Sequence, residues 1–127
     1  QIGNLTKLIS LSLYSNKLTS SIPISIGYLS ELQDLRLFEN NINSSIPFQI
    51  GNLTKLTYLS LYSNKLTSSI PISIQYLSEL QYLYLCENYG WERAFIHSWK
   101  KHGHGKLIGI AHGTIRYWEL HPTLIST

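Results

Sequence analysis

The sequence predicts an α/β-type solenoid in which successive coils of the chain stack on one another, followed by a helix and two short extended segments. Three observations predict it. The heptapeptide IGNLTKL occurs at residues 2–8 and again at residues 50–56; residues 2–88 align with themselves in rows of 24; and each row places leucine or isoleucine at the same positions. Such a period is typical of a unit that cannot bury its apolar edge alone and is stable only against its neighbours.

The rows begin at four isoleucines, Ile2, Ile26, Ile50 and Ile74. Each fits L-x-x-L-x-L-x-x-N-x-L/I followed by S-x-I-P, and the fourth row breaks after Asn88. In the first row, Leu11 and Leu13 are two residues apart, so both point to one face of an extended strand. We expect the other apolar residues of the row to complete the same column: Leu5, Leu8, Leu18 and Ile22.

Two polar or special residues of each row have predictable roles. Asn16 is expected to bend the chain out of the strand, with its amide satisfying backbone groups that the turn leaves unpaired. One such asparagine per row predicts a ladder along the stack. Pro23 fixes an extended conformation and removes a donor that would otherwise need a partner. Odd rows share IGNLTKL and even rows share I-G/Q-YLSEL, which indicates duplication of a two-row unit.

These residues resemble the plant-type, 24-residue leucine-rich repeat, with its consensus L-x-x-L-x-L-x-x-N-x-L-x-G-x-I-P, over residues 2–88. The resemblance implies a right-handed, curved solenoid with a short parallel sheet on its concave face. It also implies a role in binding other molecules, as such repeats have in receptors and inhibitors. The family's glycine before x-I-P is serine here, at Ser20, Ser44 and Ser68. We therefore expect a bend with ordinary dihedral angles, without positive φ, at these serines.

The register assigns three concave positions to each row: Ser10, Ser12 and Tyr14; Asp34, Arg36 and Phe38; Tyr58, Ser60 and Tyr62; Tyr82, Tyr84 and Cys86. Tyr14, Phe38 and Tyr62 share one slot and should stack about 4.8 Å apart. Tyr58 and Tyr82 form a second column.

Tyrosine and arginine are enriched at binding hot spots. The candidate binding residues for a protein or peptide are therefore Tyr14, Asp34, Arg36, Phe38, Tyr58, Tyr62, Tyr82 and Tyr84. For any single residue, packing of aromatic side chains across neighbouring strands is the stronger interpretation. For the face as a whole, binding is the stronger one.

Charge and composition exclude several classes of function. The net charge of +3 lies in the tail, since residues 1–88 are balanced, and it forms no clustered basic patch of the kind nucleic-acid binders carry. No apolar run approaches 18 residues, so no membrane span is predicted. The single cysteine, Cys86, excludes an internal disulfide and a cysteine-based metal cage. No cofactor is predicted. The chain begins with Gln1 and contains no Met, which indicates a fragment of a longer protein.

The tail, residues 89–127, is a different kind of sequence. Residues 91–102, WERAFIHSWKKH, predict a helix because Trp91, Phe95 and Trp99 recur at i, i+4 and i+8. Strands are predicted near residues 106–111 and 114–120. His102 and His104 lack a third ligand nearby, so we interpret them as lining a turn at the helix end and predict no metal site.

Residues 87–120 also resemble part of the C-terminal half of bacterial surface-carbohydrate biosynthesis proteins, which are glycosyltransferase-like. The matching words are E-N-x-x-W-E, H-G-H-G-K-L-I-G and H-x-T-x-R-x-W. The resemblance implies that Glu87, His112 and Thr114 lie near a nucleotide-sugar cleft, although about 34 residues cannot build a two-domain transferase.

The predicted function is thus a non-enzymatic binding module whose concave face recognises a protein or peptide. The alternative is a fragment of a transferase-like protein fused to repeats, and a third interpretation is a chimeric or truncated product with no function of its own. The location stays open: extracellular or cell surface for a secreted repeat protein, cytoplasmic if the tail is authentic.

Overall fold

The computed structural model describes residues 2–67, 71–85, 88, 106–111 and 114–119. Residues 2–67 and 71–85 wind into coils with a period of 24 residues. We number them by the sequence period as coil one (2–25), coil two (26–49), coil three (50–73) and coil four (from residue 74). Each coil contains a three-residue strand and is entered through a short 3₁₀ helix: Ile2–Asn4, Ile24–Tyr28, Phe48–Asn52 and Ile72–Tyr76. The strands are β1 (Ser10–Ser12), β2 (Asp34–Arg36), β3 (Asn43–Ser44), β4 (Tyr58–Ser60), β5 (Lys65–Leu66), β6 (Tyr82–Tyr84), β7 (Lys106–Ala111) and β8 (Thr114–Glu119).

The main sheet has four parallel strands in the order β1-β2-β4-β6. Its register follows the repeat, since Ser10 pairs with Asp34, Asp34 with Tyr58, and Tyr58 with Tyr82. A second parallel pair, β3 with β5, ties coils two and three together on another side of the solenoid. The predicted solenoid with a short parallel sheet is therefore confirmed.

The core is the column of leucines and isoleucines that the coils stack on one another. The middle residues of the strands in coils two to four, Leu35, Leu59 and Leu83, are fully or almost fully buried. The leucines before and after each strand join them in one continuous cluster. Each buried leucine of this kind contributes roughly 1.5–3 kcal/mol of hydrophobic stabilisation.

Coil one departs from the expectation that its whole apolar column is buried. Leu5, Leu13 and Leu18 are 52%, 36% and 38% exposed. Their counterparts in coil three, Leu53, Leu61 and Leu66, are 0% exposed. The sequences of the two coils are nearly the same, so the difference comes from position. Coil three lies between coils two and four, whereas coil one is covered only by coil two in the described structure.

The predicted asparagine ladder is confirmed in coils two and three. The Asn64 amide donates to the carbonyl oxygens of Leu37 (2.9 Å) and Leu61 (3.2 Å), and its Oδ1 accepts from the backbone N–H of Ile42 at 3.1 Å. Asn40 repeats these contacts one coil earlier. Each asparagine therefore satisfies backbone groups of its own coil and of the preceding coil, which locks the spacing of the stack.

The serines that replace the family's glycine correct one expectation. Ser20 and Ser44 both have φ of 66°, so the prediction of ordinary dihedral angles is wrong at these two positions. The turn keeps its left-handed backbone because stacking fixes it: the Asn43 N–H donates to the Ser20 carbonyl oxygen at 3.0 Å, and the Thr67 N–H donates to the Ser44 carbonyl oxygen at 2.9 Å. Ser68 lies outside the described residues.

In the tail, β7 and β8 form an antiparallel pair in which Lys106 lies opposite Glu119 and Ala111 opposite Thr114. The helix predicted at residues 91–102 lies outside the described residues. Among the helices that the structure does describe, none has the length and apolar character needed to cross a membrane.

Candidate functional site

The candidate site is the outer face of the four-stranded sheet, opposite the leucine column. We call it the open sheet face, and its described members are Ser10, Ser12, Tyr14, Asp34, Arg36, Phe38, Tyr58, Ser60, Tyr62, Tyr82 and Tyr84. It forms because side chains alternate along each strand, so Asp34 and Arg36 point away from the core that Leu35 enters. In-register pairing then repeats the same positions from coil to coil.

Aromatic rings form a column along the end of these strands. The Tyr14 and Phe38 ring centroids are 4.5 Å apart with 6° between the ring planes, and those of Phe38 and Tyr62 are 4.7 Å apart with 9° between the planes. This confirms the stacking distance that the register predicts. The stacked rings cover one another's faces, so the column exposes mainly ring edges.

A second aromatic group occupies coils three and four. Tyr58 contacts Tyr82 and Tyr84 with tilted rings, at centroid distances of 5.9 and 5.4 Å. Tyr84 also contacts Tyr62 at 6.2 Å and thereby joins the two groups. The face is therefore continuous across all four strands.

A charged pair lies between the two aromatic groups. The Arg36 guanidinium donates from Nε and Nη2 to the two carboxylate oxygens of Asp34, both at 2.9 Å. The same guanidinium lies 4.2 Å from the ring centroid of Tyr58. The hydrogen bond to Asp34 raises the pKa of Arg36, so the side chain stays charged, and the bidentate contact together with the stacking fixes its direction.

Ser60 forms the floor of the open sheet face. It pairs in register with Arg36 on one side and Tyr84 on the other, and it is fully buried. Its hydroxyl is buried without a hydrogen-bond partner. A small residue is required here because the large side chains of the neighbouring strands close over the position.

Glu39 is a charged residue of this region that sequence reasoning missed. Its Oε2 accepts from the Ser15 hydroxyl at 2.8 Å and its Oε1 accepts from the Tyr62 hydroxyl at 3.3 Å, so the carboxylate lies beside the aromatic column. Strand alternation selects only every second residue, and Glu39 follows Phe38 directly. The sequence did contain a signal, since Ser15, Glu39 and Ser63 share one slot of the 24-residue period. In the structure all three have φ of 55°.

Four further predicted residues come from the end of coil four or from the tail. Cys86, Glu87 and His112 lie outside the described residues, and Thr114 is the first residue of β8. Over the part of the chain that the structure describes, no three His, Cys, Asp or Glu side chains come together as metal ligands would.

Comparisons with known proteins agree with this architecture. The family described as Leucine Rich Repeat matches residues 7–29 and 55–77. The comparison with curated proteins gives no match. The described coils of this chain have the leucine-rich-repeat fold.

Three solved structures illustrate the similarity. The plant peptide hormone receptor RGFR1 in complex with RGF2 is 38% identical, with a TM-score of 0.68 over 68% of this chain and 14% of the receptor chain. The Arabidopsis receptor kinase HAESA, in complex with the peptide hormone IDA and the co-receptor SERK1, is 41% identical, with a TM-score of 0.67 over 68% of this chain and 15% of that chain. A leucine-rich-repeat protein of Leptospira interrogans is 33% identical, with a TM-score of 0.74 over 84% of this chain and 26% of that protein.

The chain thus spans about a seventh of the length of the two plant receptors it matches. None of these matches supports the resemblance of residues 87–120 to surface-carbohydrate biosynthesis proteins, and the fused-transferase alternative has no support.

Proposed function

We propose that this chain is a non-enzymatic binding module whose open sheet face, on the concave side of the solenoid, recognises a protein or peptide. The proposal rests on the positions at which two matching parts of the solenoid differ in sequence. Residues 2–40 and residues 50–88 align without a gap and differ at only six positions. Four of the six are positions of the open sheet face.

The four differences change side-chain chemistry strongly: Ser10 becomes Tyr58, Asp34 becomes Tyr82, Arg36 becomes Tyr84 and Phe38 becomes Cys86. The two others are Ile9 to Thr57 and Gly27 to Gln75. Only six of the 39 aligned positions belong to the face, so divergence is concentrated there while the coil-forming residues are unchanged. Packing alone gives no reason for this concentration, whereas binding does, because a binding surface changes while its scaffold is kept.

The chemistry of the face also supports the proposal. Tyrosine and arginine supply large contact areas with few rotatable bonds, and such residues dominate interface energetics. Here they are held by ring stacking and by the Asp34–Arg36 pair before any partner arrives, which lowers the entropy lost on binding. Two of the similar structures are plant receptors in complex with peptide hormones, which is the kind of partner proposed here.

A peptide library tests the proposal. Random dodecapeptides displayed on phage are selected on the full chain, and selected peptides are synthesised and titrated against variants. Tyr82→Ala and Tyr58→Ala are expected to weaken binding about thirtyfold or more, the loss of a hot-spot anchor worth ~2 kcal/mol.

The chain offers matched controls for these variants. Tyr28 and Tyr76 are also exposed tyrosines, but they lie in the 3₁₀ helices, away from the sheet. Tyr28→Ala and Tyr76→Ala should leave the dissociation constant unchanged. Binding that depends on the helix tyrosines and ignores Tyr82→Ala, or a library that yields no binder, would contradict the proposal.

A further inference from the structure

We infer that the open sheet face selects partners that present a basic side chain, and that the carboxylate of Glu39 receives it. The inference rests on the proposed function and specifies the chemistry of the peptide. Glu39 lies next to the face, and its carboxylate lies beside the Tyr14–Phe38–Tyr62 column.

The charges of the region indicate the sign of the partner. Asp34 and Arg36 neutralise each other through two hydrogen bonds of 2.9 Å. Within residues 2–67 and 71–85, no lysine or arginine forms an ion pair with Glu39, since the ion pairs there are Arg36–Asp34 and Lys55–Glu31. The described face with Glu39 therefore carries one uncompensated negative charge. An acidic partner group would be repelled by Glu39, and Arg36, which could attract it, is already paired with Asp34.

The geometry of the Glu39 carboxylate allows it to accept hydrogen bonds from a partner molecule. Each oxygen of Glu39 accepts one hydrogen bond from the protein, 2.8 Å from the Ser15 hydroxyl and 3.3 Å from the Tyr62 hydroxyl. A carboxylate offers about four acceptor positions. Both oxygens thus retain a free lone pair, and the residue is exposed. A planar guanidinium can take both oxygens at once, which is the strongest form of this contact.

The neighbouring rings complement the rest of a basic side chain. Arginine and lysine bury their methylene stems against apolar surface while the charged head stays at the polar edge. The stacked edges of Phe38 and Tyr62 provide such a surface directly beside Glu39, because Tyr62 both stacks on Phe38 and hydrogen-bonds the carboxylate. The two hydrogen bonds hold the carboxylate in place, so little side-chain freedom is lost when the partner binds.

The experiment repeats the dodecapeptide selection on three proteins: the unmodified chain, Glu39→Gln and Glu31→Gln. Glu31 is the matched control, because it is a half-exposed glutamate that pairs with Lys55 at 2.8 Å and lies away from the open sheet face. Arginine or lysine should be enriched at one peptide position on the unmodified chain and on Glu31→Gln, and the enrichment should vanish on Glu39→Gln.

A titration makes the result quantitative. Replacing the selected basic residue of one peptide by glutamine should weaken binding to the unmodified chain about fivefold, the upper range for an exposed charge pair, and should leave binding to Glu39→Gln unchanged. If peptides bind through Tyr82 but show no basic preference, or keep that preference on Glu39→Gln, the inference is wrong and the proposed function stands. If no peptide binds in a Tyr82-dependent way, the proposed function itself fails.

Discussion

Replacing Ser44 by glycine is expected to stabilise this protein, although most substitutions to glycine destabilise a folded chain. Ser44 has φ of 66°, the left-handed region that a side chain with a Cβ enters at a cost of roughly 1–2 kcal/mol. Glycine removes that cost. The greater conformational freedom of glycine in the unfolded chain offsets about 0.5–1 kcal/mol of this gain in stability. The hydroxyl contributes little in return, because its hydrogen bond goes to the adjacent, exposed Asn43 side chain at 3.1 Å.

Ser45 provides the control that isolates the strain. It is the next residue, it is exposed, and its φ is not positive. The glycine entropy term is the same at both positions, so it cancels in the comparison. Ser45→Gly should lower the free energy of unfolding by about 0.5–1 kcal/mol. The free energy of unfolding of Ser44→Gly should be higher than that of Ser45→Gly by roughly 1–2 kcal/mol, which is the conformational strain at Ser44.

Urea unfolding followed by far-ultraviolet circular dichroism measures both variants, with melting temperature as a second readout. The gap between them corresponds to roughly 4–8 °C, at about 4 °C per kcal/mol for a chain of this size. Ser20→Gly should behave like Ser44→Gly, since its φ is also 66°. Equal destabilisation by Ser44→Gly and Ser45→Gly would refute the reasoning, because it would mean that the serine carries no conformational strain.

Three further predictions concern the scaffold and are measured in the same unfolding assay. Asn64→Ala should lower the free energy of unfolding by about 2–4 kcal/mol, because it leaves buried carbonyl groups and the Ile42 N–H without partners. Asn16→Ala, at an exposed site, should lower it by under about 1 kcal/mol. Leu59→Ala should cost about 2–5 kcal/mol, and Leu11→Ala at the half-buried equivalent position should cost clearly less, so equal losses would contradict the stacking of coils. Gly51→Ala should lower the free energy of unfolding by about 1–3 kcal/mol, since the added Cβ would lie 2.7 Å from both the carbonyl oxygen and the Cβ of Ser73. An unchanged melting temperature would show that the coils can separate at this contact.

The scaffold was largely predictable because one short rule, repeated, specifies it. Leucines two residues apart enter the core from a strand, the asparagine closes the turn, and the proline extends the chain, with Pro23 at φ of −69° and ψ of 146°. The left-handed serines were not predictable in the same way. Local preference alone argues against positive φ at Ser20 and Ser44, and hydrogen bonds between neighbouring coils override that preference. Information of this kind is present only once the coils are stacked.

The candidate site was predictable to the extent that the register determines it. Equal positions in successive coils must lie one strand spacing apart, so the stacking of Tyr14, Phe38 and Tyr62 follows from the period alone. The contacts of individual side chains do not follow from it. The register places Asp34 and Arg36 on one face but gives no reason for Arg36 to lie over Tyr58, and it passes over Glu39, because the backbone turns out of the strand at that residue.

Apart from the buried Ser60, the side chains of the open sheet face are not those that specify the scaffold, and this separation leaves the other face positions free to change. The fold is held by inward leucines, by asparagine contacts to the backbone and by strand pairing, none of which involves the side chains of the open sheet face. Ser10 could therefore become Tyr58, and Asp34 become Tyr82, without altering a coil. A scaffold of this kind holds whatever the face positions carry at fixed spacing, which is the preorganisation that a selective binding surface requires.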